Sequence, residues 1–130
     1  MRVSSISCAL GVVFVSAIAM LHGSGFGTFT AEMNETNASD FLKDMFQVLY
    51  AVPTVFLLTL AAFGVLATLN RRMRRPVCSI LCPAVVATGA LALVLGEWVP
   101  LVIMTLGGSL FAVAALTSNP ADAESGVTQD

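Results

Sequence analysis

The sequence predicts an all-α protein, an integral membrane bundle of four transmembrane helices with both termini on the cytoplasmic side. Three observations carry this expectation. Of 130 residues, 57% are apolar and only 11% charged, with a mean hydropathy of +0.89, whereas a soluble domain averages about 45–50% apolar and about 25% charged. The apolar residues gather into four stretches, each close to the roughly 20 residues that a spanning helix requires. Four of the six basic side chains fall together in Arg71-Arg72-Met73-Arg74-Arg75, between two of those stretches.

The first span is expected over 6–22, behind a short leader bearing Arg2. Its Ala17-Ile18-Ala19 also fits the small-x-small pattern of a signal-peptide cleavage site, so a cleaved signal remains open as an alternative. Residues 23–46 are expected to form an outer loop: Gly23, Gly25 and Gly27, followed by Thr, Asn and Glu, are loop signals. Ser39 or Asp40 can cap a second helix by accepting from the free amides of its first turn. A helix from Asp40 to Asn70 is about 46 Å long. It therefore exceeds the roughly 30 Å hydrocarbon core, and only about 47–69 is expected to span. Pro53 removes one backbone bond and predicts a kink near the outer surface.

The third span is expected over 77–96 and the fourth over 99–117, with Glu97, Trp98 and Pro100 in the tight turn between them. Residues 1–118 thus form a single domain, and the small, polar, acidic tail 119–130 is expected to be mobile. Orientation follows from Lys and Arg near the span ends. With the N-terminus inside, Arg2, Arg71, Arg72, Arg74 and Arg75 face the cytoplasm and only Lys43 faces out. Phe46, Tyr50 and Trp98 then fall at the outer interface, where aromatic belts form.

Few side chains are candidates for chemistry. His22, the single histidine, and Glu97, the carboxylate adjoining the last two spans, both fall at the outer boundary, where they can meet as a polar pair. Two readings stay open, a protonation site at membrane depth and a solvated boundary position. Ala84, Thr88, Ala92 and Gly96 form a ridge of small residues on the third helix, matched by Gly108 and Ala112 on the fourth. Such ridges pack helices closely in lipid, either within the chain or between copies. Cys78 and Cys82 lie one turn apart, with Cys8 at a similar depth. Three sulfurs suit a soft ion such as Cu(I) or Zn(II), but the spacing matches no standard zinc or redox signature. They are read as small buried filler, and no metal or cofactor is expected. Arg71, Arg72, Arg74 and Arg75 are assigned to topology and contact with anionic lipid. Their loop is too short for a nucleic-acid-binding module.

Three features, Leu21-His22-Gly23 closing the first helix, Tyr50 opening a Leu- and Ala-rich second helix, and Trp98-Val99-Pro100 before a glycine-bearing last helix, give the chain a layout that resembles small bacterial four-helix inner-membrane proteins of uncharacterised function. The resemblance implies an inner (plasma) membrane location and carries no mechanism. Small multidrug exporters are similar in length and helix number, but their essential glutamate lies inside the first helix, and this first helix contains no carboxylate.

The expected function is therefore non-enzymatic: a small integral membrane protein acting as a subunit or accessory factor of a membrane assembly, with the bilayer, a membrane-protein partner or further copies of itself as its contacts. The alternative is a small oligomeric transporter or channel. Its polar path would draw on Ser16, His22, Thr54, Thr59, Thr88, Glu97, Thr105 and Ser109.

Overall fold

The computed structural model describes residues 3–94 and 96–118. Arg2 and the acidic tail expected from the sequence lie outside them. The described residues form five helices and no strand: α1 (Val3–Ser24), α2 (Phe26–Glu35), α3 (Asp40–Leu69), α4 (Arg71–Val94) and α5 (Trp98–Thr117). Four helical stretches among them, Val3–Glu35, Asp40–Leu69, Arg71–Val94 and Trp98–Thr117, are long and apolar enough to cross a membrane.

The four long helices close into a ring in which α1 packs on α3 and α5, and α4 packs on α3 and α5. Neighbours run antiparallel, as the paired levels show. Near one end His22 of α1 meets Thr54 of α3, and near the other Cys8 meets Gly64. We call these the histidine end and the arginine end.

Each of the four long helices buries a narrow stripe and leaves a broad apolar face outward. On α1 the stripe is Ser4, Ser7, Cys8, Gly11, Val15, Ile18 and Ala19; on α4 it is Arg74, Cys78, Leu81, Val85 and Gly89. These three- and four-residue steps keep one helical face inward. Small residues let the backbones approach, as expected where lipid gives helices little hydrophobic reason to associate. A Cβ added at Gly89 would lie 2.9 Å from the Cβ of Met104, and one at Gly108 would lie 2.6 Å from Val86 Cγ2 and 3.3 Å from the Cys82 carbonyl. The ring of Phe111, fully buried, occupies the space left by Gly11 and Gly64 and so joins α5 to α1 and α3.

The structure corrects three sequence expectations. The expected outer loop 23–46 is mostly helical, because Phe26–Glu35 form α2 ahead of α3, which begins at Asp40 as expected. Gly25 has φ −75° and ψ −15°, so helical bonding carries across it and Phe29 N–H donates to the Gly25 carbonyl at 3.0 Å. Glycine permits a loop but does not impose one, and here packing against α3 decides. The expected cap does form, as Leu42 N–H donates to the Ser39 hydroxyl at 3.4 Å.

The second correction concerns the arginine run, which is the first turn of α4 and not a loop. Asn70 alone separates α3 from α4. Its N–H donates to the Leu66 carbonyl at 2.8 Å, and its side-chain oxygen accepts from Arg72 N–H at 3.1 Å. One residue thus closes one helix and caps the next.

The third correction is Gly96. It does not extend the small ridge of α4 but stands in the α4–α5 turn at φ +84°, a left-handed conformation that favours glycine. The turn is held by Gly96 N–H on the Leu93 carbonyl at 2.9 Å and Glu97 N–H on the Ala92 carbonyl at 3.0 Å.

Candidate functional site

Polar side chains concentrate in two clusters, one at each end of the ring. At the arginine end, the phase of α4 turns one of the four arginines inward. Arg71, Arg72 and Arg75 are exposed, while Arg74 is only 4% exposed. The lipid-contact role expected of Arg74 is therefore wrong: it lies four residues before Cys78, on the buried face. Its Nε donates to the Ala67 carbonyl at 3.1 Å, its Nη2 to the Thr68 carbonyl at 2.8 Å, and its Nη1 to the Ser4 hydroxyl at 3.3 Å. The last carbonyls of α3 have no intrahelical partner and stand at the negative end of that helix's dipole, where a cation is favourable. The planar guanidinium fork reaches two of them at once.

Directly above this, Cys8 of α1 and Cys78 of α4 are both fully buried, with their sulfurs 3.6 Å apart. The Thr68 hydroxyl lies 3.3 Å from Cys8 Sγ and 2.9 Å from the Gly64 carbonyl, and Cys8 Sγ lies 3.6 Å from that same carbonyl. Thr68 thus touches Cys8 with its side chain and Arg74 with its backbone. The three thiols, which the sequence places at a similar depth, do not all meet. Cys82 is half-buried, its carbonyl is turned to Gly108, and no set of three or more His, Cys, Asp or Glu side chains converges among the described residues.

At the histidine end, His22 Nδ1 lies 2.9 Å from Thr54 Oγ1, and the imidazole stacks on the ring of Tyr50 at a centroid distance of 4.4 Å. The Tyr50 hydroxyl donates to the His22 carbonyl at 3.0 Å. Phe26, Phe29 and Phe46 surround Tyr50 at centroid distances between 5.5 and 5.9 Å. Each of these aromatic pairs adds about 0.5–1.5 kcal/mol beyond area burial, and those of Phe26 and Phe29 tie α2 to α3. A Cβ at Gly25 would lie 2.5 Å from the Tyr50 oxygen, so glycine there admits the phenol. Glu97, exposed, precedes α5 at the turn. Among the described residues no hydrogen bond or ion pair joins it to His22, whose side chain is engaged by Thr54 and Tyr50.

Tyr50→Phe should keep the aromatic cluster and remove the bond to the His22 carbonyl, at a cost of about 1 kcal/mol. Faster hydrogen exchange confined to Gly23–Phe29 is the expected readout; exchange identical to the parent would show that the phenol does not hold the α1–α2 junction.

Of the small residues expected to pack helices, Gly108 does so directly against α4. Ala84, Thr88, Ala92 and Ala112 are half-buried beside the contact faces, and Gly89 is the glycine of α4 that packs against α5. Sequence reasoning missed Ser4, Thr68 and Asn70. The available signal was phase: Ser4 and Cys8, like Arg74 and Cys78, are separated by four residues and so share a helical face.

The chain matches no protein-family model, no curated protein and no solved structure, so its function rests on the site itself.

Proposed function

We propose that this chain is a non-enzymatic integral membrane protein, a subunit or accessory factor of a larger assembly, in a bacterial inner membrane with both termini in the cytoplasm. The observation that carries the reading is how its polar groups are used. At the arginine end they close helix termini, and at the histidine end they join α1 to α3. Along the spans, the hydroxyls of Thr59, Thr88 and Ser109 donate to the carbonyls of Val55, Ala84 and Thr105, each at 2.8 Å. Hydroxyls whose protons are bonded within their own helix have no donor to spare for a polar path, which weighs against the transporter reading. The open groove along α3, lined by Val55, Leu58, Thr59, Ala62, Phe63 and Leu66, is nearly all apolar and suits lipid or a partner helix.

The orientation rests on the exposed Arg71, Arg72 and Arg75 at one end under the positive-inside rule. Native mass spectrometry of the full chain, extracted in mild detergent from its own host, tests the proposal. A complex of fixed stoichiometry with an unrelated membrane protein is expected. A homo-oligomer alone would instead favour the transporter or channel.

A further inference from the structure

We propose that Cys8 and Cys78 form a two-coordinate site for a soft monovalent metal ion, Cu(I), with Arg74 as its charge partner. Two fully buried sulfurs from helices 70 residues apart in sequence meet at 3.6 Å. Buried cysteine is often mere filler, but filler does not require polar surroundings. Here each thiol has a member of the Arg74–Ser4 pair one helical turn away on its own helix, and the Thr68 hydroxyl reaches Cys8 Sγ at 3.3 Å.

Charge is the second argument. Arg74 is buried, yet its three hydrogen bonds among the described residues go to two carbonyls and one hydroxyl, all neutral. A buried cation without a counter-ion is costly. The acidic residues of the described chain, Glu32, Glu35, Asp40, Asp44 and Glu97, stand in α2, at the start of α3 and in the α4–α5 turn, towards the histidine end. When Cu(I) binds, each thiol releases its proton to bulk solvent, two S–Cu bonds form, and the ion keeps its oxidation state. The Cu(S)₂ unit carries one negative charge, so the site passes from a net +1 to neutral beside the guanidinium.

Coordination number selects the ion. Structural zinc takes four ligands, and no third His, Cys, Asp or Glu joins the pair among the described residues. Cu(I) is favoured by soft thiolates. Metal–thiolate bonds of about 2.3 Å span the present 3.6 Å separation as a bent bridge, and rotation of either cysteine side chain opens it towards linear.

The test uses the full chain, purified in detergent under reducing, oxygen-free conditions and titrated with Cu(I) against a chromophoric Cu(I) chelator. One ion per chain is expected, with binding unchanged in Cys82→Ser. Cys8→Ser and Cys78→Ser should each lose more than the roughly 10–100-fold typical of removing an outer-shell partner. X-ray absorption of the copper-loaded parent should show sulfur-only coordination, which keeps the test decisive if a variant misfolds. Parent uptake no greater than that of Cys8→Ser/Cys78→Ser, loss of binding in Cys82→Ser, or nitrogen and oxygen ligands on the metal would each overturn the proposal.

Discussion

Arg74→Ala is expected to lower the unfolding free energy in detergent by about 3 kcal/mol, more than any other single arginine replacement in the run. Hydrogen bonds to a charged group contribute about 1.5–3 kcal/mol, and leaving buried acceptors unpaired adds a desolvation penalty. Losing Arg74 strips donors from the Ala67 and Thr68 carbonyls and from Ser4, at a junction where a single residue, Asn70, links α3 to α4. Arg71→Ala, Arg72→Ala and Arg75→Ala, at exposed positions, should each stay within about 0.5 kcal/mol of the parent. Arg74→Lys should recover only part of the loss, because one ammonium cannot reproduce the two-pronged grip on consecutive carbonyls. Denaturant titration followed by circular dichroism measures all five. Equal stabilities across the alanine series would show that the inward arginine does not hold the junction.

Phe111→Ala is expected to be the most damaging truncation in the core, at about 3 kcal/mol, the lower end of the range for large-to-small aromatic replacements. The lower end applies because lipid is as apolar as the site, leaving lost dispersion contacts and the cavity as the main terms. The ring is fully buried, and an added Cβ would lie 3.0 Å from it at Gly11 and 3.3 Å from it at Gly64. Neither backbone can move inward to fill the void without separating other contacts. Leu116→Ala, on a side chain 85% exposed at the outer face of α5, serves as the control and should be nearly silent. If the two substitutions shift thermal unfolding by the same amount, the three-helix contact around Phe111 does not contribute as described.

Particular residues mark the boundary between what was readable and what was not. Ser39 was recognisable as a cap because capping depends on a side chain and the amides of the next turn. The excess length of α3, 30 residues, followed directly from the continuity of its pattern. Residues 26–35 misled because the glycines at 23, 25 and 27 and the polar side chains that follow are compatible with a loop, while the ring of Tyr50 that gathers Phe26 and Phe29 lies more than twenty residues further on. Arg74 misled because four arginines in one run look equivalent until helix phase separates them. His22 was paired with Glu97 in the sequence reading, but its neighbours are Thr54 and Tyr50, a choice made by how α1 and α3 pack.

The sequence by itself determined the helical class and the four apolar stretches, since both follow from transfer free energies summed over about 20 neighbouring residues. Only the tertiary structure decided which arginine is buried, which two of three thiols meet, and that residues Phe26–Glu35 are helical. Those outcomes depend on contacts between residues as far as 70 positions apart, where a rotation of one helix by a single residue would bring a different side chain to the same place.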